Sequence, residues 1–462
     1  MPEGEGVSEA EVTTSALPAF VPGAVGEPGS YGDSFVRALG GSVSALTARR
    51  DALFAGVPPE QRAEMAARHR KIVEHYQLPW YTECRMIARA LGWEDEAFWQ
   101  FLLLNDGFTA CTSWIVHAGA GADGRMVLHK NRDYDPGGQN AMFHAPAGRY
   151  RWFGAGDLWR ITPRMAINEA GLAVAMNAGD DCSDPDRKDG FSVSEVTKWL
   201  LETCGTVEEV KNSLRRLTAD GYFRGGGPIL FFIDPQGGAI AEMSPEHLVI
   251  ADVPFGFDLR SNDWKLPGMV SLSERGHQGL MAEYRRELYL RRGLRRCMQS
   301  PEKIRLADIR ALSRSRESAD LGDLTSLCRS STVSAATMVP DGEFPAELSC
   351  CWLSLGPVRN SLYVPVPMGL QGVPEVFADG RWAARCAEWQ KQNGIDHDGD
   401  ALLIAAEQEI ESRYRAVEAE VRDLLRQGGT GKARDILRKE CAVIYQRAGQ
   451  FLAHFHPSPK RF

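Results

Sequence analysis

The period of the apolar residues first switches from helical to alternating along this 462-residue chain at Cys111. Before it, PPEQRAEMAARHRKIVEHYQ, YTECRMIARALGW and EDEAFWQFLLLND carry apolar residues at helical spacing, with Gly92 as the stop between the last two. After it, TSWIVHAG and RMVLHKN alternate about an AGADG turn. RMAINEAGLAVAMNAG repeats the design about Glu169-Ala170-Gly171, and GPILFFIDPQGGAIAEMSP repeats it about Pro235-Gln236-Gly237-Gly238. Two helices, SVSEVTKWLLETC and VEEVKNSLRRLTA, separate the last two hairpins. Such an order predicts antiparallel sheets with helices stacked outside, an α+β chain and not a doubly wound parallel sheet. Later come the arginine-rich helix RGHQGLMAEYRRELYLRRGLRRCMQ, strand candidates in AELSCCWLSLG and SLYVPVPMG, and two amphipathic C-terminal helices. Residues 1 to about 30, rich in Gly, Pro, Glu and Ser, read as a loosely ordered arm.

Charge narrows the class of partner. A net charge of -8 lacks the cationic field that a nucleic-acid or anionic-membrane binder needs, so a small molecule or a protein is expected. The acidic N-terminus has no signal-peptide pattern and no apolar run approaches a membrane span, which predicts a cytoplasmic chain. Ten cysteines scattered over this length are expected as free thiols, with Cys350-Cys351 in the core.

Cys111 begins the first strand. The plain reading of such a cysteine is a small buried residue, but one strand later HKNRDYD places Asn131 and Asp133 at alternate positions on one side of the sheet edge. A carboxylate there makes sense beside a cation. Cleavage between Ala110 and Cys111 would create one, an α-amine of pKa about 7.7–8.0 that can act as general base for the thiol without a histidine. Asp133 would orient the ammonium form.

These motifs resemble the N-terminal-nucleophile (Ntn) hydrolases, and within them the isopenicillin-N acyltransferase-like (acyl-coenzyme A:6-aminopenicillanic acid acyltransferase) family. WYTECRMIARALGWEDEAFWQFLLLND is similar to the helix pair before the cut, and CTSW to the Cys-Thr start of the mature chain. HKNRDYD resembles the Asn-x-Asp element, AINEAGLAVAMNAG the next hairpin and LTSLCRSSTVSAATMVPD the late strand. The resemblance implies a four-layer αββα sandwich with an N-terminal helical pro-segment (1–110), a catalytic core (111–372) and a C-terminal helical extension (373–462). It implies self-cleavage into two fragments that stay associated. It implies Cys111 as nucleophile and base, Asp133 as the group holding its amine, Asn177 and Asn262 as oxyanion donors, and Arg329 as the late-strand basic residue, with Arg132 and Arg359 as alternatives; Thr112, Ser113 and Asn131 support them. The implied chemistry is hydrolysis or formation of a linear amide through an acyl-Cys111 thioester, with no cofactor. Acyl-coenzyme A or a carrier-bound acyl thioester enters as substrate, an acyl carrier protein is an admitted partner, and a homo-oligomer is admitted. Ala110 stands where the family usually has glycine, no histidine closely follows Asn262, and the chain runs about 90 residues past the usual end.

A dipeptidase-like cysteine peptidase and an uncleaved, non-catalytic scaffold of the same fold are the alternatives. A Cys/His hydrolase would need His117 or His129 beside the thiol. No metal site is expected: CxxC pairs are absent, His454-Phe455-His456 has the wrong spacing, and the acidic stretches from Asp180 and Asp396 do not fit a calcium loop. Asp398 or Asp400 is expected to cap the next helix. Gly225-Gly226-Gly227 reads as a turn entering PILFFI, not a phosphate loop. The cluster Arg285, Arg286, Arg291, Arg292, Arg295 and Arg296 is expected on a solvated helix face, with a minor reading as a place for coenzyme A phosphates or an acidic carrier.

Overall fold

The computed structural model describes residues 30–39, 42–105, 110–134, 139–182, 184, 189–274, 277–316, 322–378 and 380–455. Most of the arm, His456, and Ser183 with residues 185–188 of the acidic stretch after Asp180 lie outside them. Five helices come first: α1 (Ser30–Leu39), α2 (Val43–Ala55), α3 (Pro59–His75), α4 (Trp80–Ala90) and α5 (Ala97–Leu104). Gly92 ends the α4 region in the left-handed conformation that a helix stop requires (φ 68°).

From Cys111 the chain forms β1 (Cys111–Val116), β2 (Val127–Asp133), β3 (Gln139–His144), β4 (Trp152–Asp157), β5 (Pro163–Asn168) and β6 (Ala173–Asn177). Helices α6 (Val193–Thr203) and α7 (Val207–Asp220) follow, each opened by a capping box, Ser192 with Glu195 and Thr206 with Glu209. Next come β7 (Ile229–Ile233), β8 (Gly238–Met243), β9 (Leu248–Asp252), β10 (Phe257–Arg260), α8 (His277–Gln299), α9 (Leu306–Ser313), β11 (Thr332–Val339), α10 (Pro345–Leu348), β12 (Cys350–Leu355) and β13 (Val364–Pro367). The chain closes with α11 (Glu375–Ala378), α12 (Arg381–Asn393), α13 (Asp400–Arg426) and α14 (Thr430–His454).

The strands make two sheets, all pairs antiparallel. One has the order β10-β1-β2-β11-β12-β13 and the other β3-β4-β5-β6-β7-β8-β9. Their inner faces pack together through residues such as Ile115, Leu128, Ala175 and Phe231. The outer face of the seven-stranded sheet is covered by α1–α5 together with α6 and α7, in a second core that joins Trp80, Phe98 and Phe101 to Val174, Leu200 and Phe232. Helices α8, α9, α13 and α14 lie on the six-stranded sheet. This is the expected four-layer αββα sandwich.

Two local expectations need correction. Helix α13 has Gly399 as its N-cap with no side-chain cap, and Asp400, the first helical residue, gives its carboxylate to Arg359 at 2.5 Å. The arginine-rich α8 is not solvated at every arginine. Arg285, Arg292, Arg295 and Arg296 are exposed and Arg291 is half-buried, but Arg286 is fully buried. Arg286 precedes Leu290 and Leu294 at i+4 and i+8, so it lies on the apolar stripe that faces the sheet. All ten cysteines are free, and Cys350 and Cys351 are buried as expected.

Candidate active site

Cys111 is 2% exposed and is the first residue of β1. In the register β1 pairs Cys111 with Arg132 of β2 on one side and Ser113 with Arg260 of β10 on the other, so the residue two beyond Arg260, Asn262, comes opposite Cys111. The pleat then divides the neighbours by face. Cys111, Ser113, Lys130 and Arg132 point toward the other sheet, whereas Thr112, Asn131 and Asp133 point toward the helices outside.

On the inner face the Lys130 ammonium hydrogen-bonds the Cys111 thiol and donates to Asn177 Oδ1 at 3.0 Å and to the Met176 carbonyl. Burial pulls the lysine's pKa below its ordinary value, and the thiol offsets only part of that fall. Ser113 Oγ also donates to Asn177 Oδ1, at 2.7 Å. Asn177 Nδ2 donates to the carbonyls of Arg260 (3.2 Å) and Ser261 (2.8 Å), while Asn262 Nδ2 donates back to the Ala178 carbonyl at 2.7 Å. The two asparagines thus lace their turns to each other. Gly179 and Gly227 allow the close approach: a Cβ on Gly227 would stand 2.0 Å from the Trp264 ring.

At the backbone of Cys111, its nitrogen donates to Asn262 Oδ1 at 3.0 Å, and the Asp133 N–H donates to the Ala110 carbonyl at 2.9 Å. The peptide Ala110–Cys111 is held from both sides. Asp133 Oδ1 accepts from Thr332 Oγ1 at 2.6 Å. Its Oδ2 is buried without a hydrogen-bond partner, between Arg329 Nη1 at 3.5 Å and Arg286 Nη1 at 3.7 Å. Arg329 is thereby the late basic residue that reaches Asp133. Arg132 is bound instead to Asp157 and Gln139, and Arg359 to Asp400. Arg286 Nη1 donates to Thr112 Oγ1 at 3.2 Å and Nη2 to Asn262 Oδ1 at 3.3 Å. Asn131 ties β2 to the outer layer through the carbonyls of Ser313 (2.8 Å) and Leu327 (3.0 Å).

Neither histidine of the Cys/His reading is a base for this thiol. His129 points to the outer face, bonds Thr337 and Asn131, and is pushed by burial down to about 3. His117 lies beyond the far end of β1 and accepts from the Gly119 N–H. Glu83, His144 and Glu202 come close enough together to hold an ion, but the Lys198 ammonium already lies among them.

Sequence reasoning missed Lys130 and Arg286. A signal existed for each: Lys130 is a charged residue in register with the Cys111 face of a strand, and Arg286 occupies the apolar phase of its helix.

A comparison with curated proteins finds no match. Among solved structures, a mutant form of conjugated bile acid hydrolase from Clostridium perfringens is 15% identical, with 56% of this chain and 92% of that one covered and a TM-score of 0.39. Penicillin V acylase from Agrobacterium tumefaciens is 14% identical over 56% and 86%, at 0.40. The Caenorhabditis elegans N-acylethanolamine-hydrolyzing acid amidase ortholog is 14% identical over 51% and 95%, at 0.35. Residues 120–265 match the family model described as Acyl-coenzyme A:6-aminopenicillanic acid acyl-transferase. The segment that carries Lys130, Asp133, Asn177 and Asn262 is thus similar to the acyltransferase family that the chain's motifs resemble.

Proposed function

We propose that the chain cuts itself between Ala110 and Cys111 and then hydrolyses or forms linear amide bonds through an acyl-Cys111 thioester. The observation that carries this reading is the setting of one peptide bond: its thiol on a buried lysine, its carbonyl on the Asp133 backbone N–H, its nitrogen on Asn262, and the Asp133 carboxylate with one oxygen that no hydrogen bond occupies.

Before the cut there is no α-amine, so the first base must be another group. Lys130 fits, being at the thiol with its pKa lowered by burial. Once it has given up its own proton, the Lys130 amine takes the thiol proton, the sulfur attacks the Ala110 carbonyl carbon, and the Asp133 N–H stabilises the oxygen that gains charge. Collapse breaks the C–N bond, Cys111 N leaves as the protonated amine, and water hydrolyses the Ala110 thioester. The new amine is then the base for turnover, with Asp133 Oδ2 as acceptor for its ammonium form. The thiolate attacks the substrate acyl carbon, the amine leaving group departs with the proton, and water or a second amine resolves the thioester. Asn262 donates to the oxyanion; Asn177 serves that hole by holding the Asn262 turn with its own Nδ2.

The family match supports the acyl-transfer half of the proposal, in which an acyl thioester of coenzyme A or of a carrier is a substrate. The exposed Arg285, Arg292, Arg295 and Arg296 are the proposed place for its phosphates or an acidic carrier. Ten free thiols suit the reducing cytoplasm. Among the described residues no helix is long and apolar enough to cross a membrane.

An intact-mass spectrum under denaturing conditions tests the reading. Two species breaking between Ala110 and Cys111 are expected. A single unbroken species from a folded protein would overturn the cut and leave a scaffold of the same fold.

A further inference from the structure

Helix α8 sends two successive side chains, Arg286 and Glu287, onto the Ser261–Asn262 turn. Glu287 Oε1 accepts from the Ser261 N–H (2.8 Å) and Oγ (3.1 Å), and Arg286 Nη2 donates to the Asn262 carboxamide oxygen. The consequence for Asn262 changes with the cut. In the uncut chain Cys111 N is an amide that can only donate, so it fixes the carboxamide oxygen toward itself. A free amine can donate or accept, and it then no longer decides which end of the carboxamide faces it. A guanidinium has donors only and keeps its proton.

We propose that Arg286 is a positioning residue for the nucleophile: it locks the Asn262 carboxamide with its oxygen toward Cys111, and its charge favours the unprotonated amine and the thiolate. The inference rests on Cys111 as the reacting group. The charges that face this end of Cys111 are Lys130, Asp133 and Arg132 of β2, the last paired with Asp157 of β4, then Arg329 beside β11, and Arg286 with Glu283 of α8. Glu287 belongs to the same network, shared with Lys265 and Asp263. With Arg132 offset by Asp157, three cations, Lys130, Arg286 and Arg329, stand near the thiol and amine against one directly facing carboxylate, Asp133. Burial, then the charge of Arg329, pulls the Arg286 guanidinium down to about 10, which still leaves it charged at neutral pH.

The test needs no substrate. The rate of Cys111 alkylation by iodoacetamide is followed against pH on the full chain, read as the mass of the Cys111 peptide, after an intact-mass spectrum has shown whether the chain is cut. Arg286→Met is expected to raise the midpoint by about one pH unit, since it removes a nearby positive charge. Arg286→Lys, which keeps the charge, should return it close to wild type. Glu283→Gln, which removes an anion 3.7 Å from Arg286, should move it the opposite way, and this variant decides the matter should Arg286→Met fail to fold. An unmoved midpoint in folded Arg286→Met, an equal rise in Arg286→Met and Arg286→Lys, or no fall in Glu283→Gln would each overturn the proposal. An uncut wild-type chain would instead sink self-cleavage, and the same titration on that chain would still decide the effect of Arg286 on the thiol.

Discussion

The charge of Lys130 depends on the Cys111 sulfur beside it. Burial disfavours the ammonium and the adjacent sulfur favours it, so the lysine gives up its proton below the ordinary value of about 10.4. The self-cleavage rate of freshly made chain is therefore expected to climb with pH and to level off below that value. Lys130→Arg keeps the charge but cannot lose it, and Lys130→Met loses both; each should slow the cut by at least about 100-fold, the usual worth of a general base, read by intact mass over time. Cys111→Ala should leave one uncut, inactive chain. Asp133→Asn should slow the cut and subsequent turnover together, and wild-type rates in that variant would show that its carboxylate does not serve the amine. The five candidate residues read from motifs, Cys111, Asp133, Asn177, Asn262 and Arg329, lie in one network of contacts about the Ala110–Cys111 peptide. Lys130 and Arg286 escaped because charge in a strand or an arginine-rich helix reads as solvated until the facing layer is known. Which side of Asn177 is already spent on backbone carbonyls was equally invisible, since it depends on a turn 84 residues away in sequence.

The N-terminal helices are bound to the core by more than the peptide that the cut would remove. Trp80 Nε1 donates to Glu202 at 2.8 Å, Lys198 reaches Glu83 at 3.0 Å and Tyr76 donates to Asp220 at 2.7 Å, all within or beside an apolar core shared with the seven-stranded sheet. The two fragments should consequently co-elute on size exclusion after cutting. Lys198→Met, which strands two buried carboxylates, is expected to cost about 3–5 kcal/mol in denaturant unfolding. Its pH dependence has two limbs. For Glu202 burial raises the pKa but Lys198 and His144 outweigh it, holding it at about 2; its contribution is present above the ordinary carboxylate pKa and is lost as pH falls through the folded value. For His144 burial and Lys198 oppose protonation but Glu83 and Glu202 prevail; its contribution is present below about 6.5 and is lost as pH rises through the raised folded value. Fragment association should thus weaken at both ends, and an association flat across that range would show the cluster to be energetically idle. At this scale the hairpins β1–β2, β5–β6 and β7–β8 were legible from alternation about glycine turns. The strands β3 and β4 were not, because Gly154 and Gly156 and a run buried on both faces blur their period.

Residues past 372 look in sequence like an appendage, yet they supply a layer. Tyr414 of α13 packs edge-on against Trp352 of β12 at 5.5 Å, Tyr445 of α14 donates to the Pro365 carbonyl of β13 at 2.8 Å, and Leu437 and Ile444 are buried in the same core. Glu407 is buried with Arg314 at 2.5 Å and accepts the Tyr363 N–H at 2.7 Å. The part of the sheet these helices cover, β12 and β13, is apolar, and removing them would expose it to water. Truncation after residue 372 is therefore expected to yield insoluble protein, and a soluble, cooperatively folding truncated chain would show the helices to be an addition. The link reaches the candidate site: Arg314 follows Ser313, whose carbonyl holds Asn131, two residues before Asp133. Leu437→Ala, far from that link, should cost about 2–5 kcal/mol of stability and leave the cut rate of folded chain unchanged. Glu407→Gln, which removes the charge facing Arg314 but keeps the shape, should lower stability and also slow the cut severalfold. Comparing the two by denaturant unfolding and timed intact mass separates a layer that only covers the sheet from one that also holds β2 in place, and equal cut rates in both variants would leave it the first role alone.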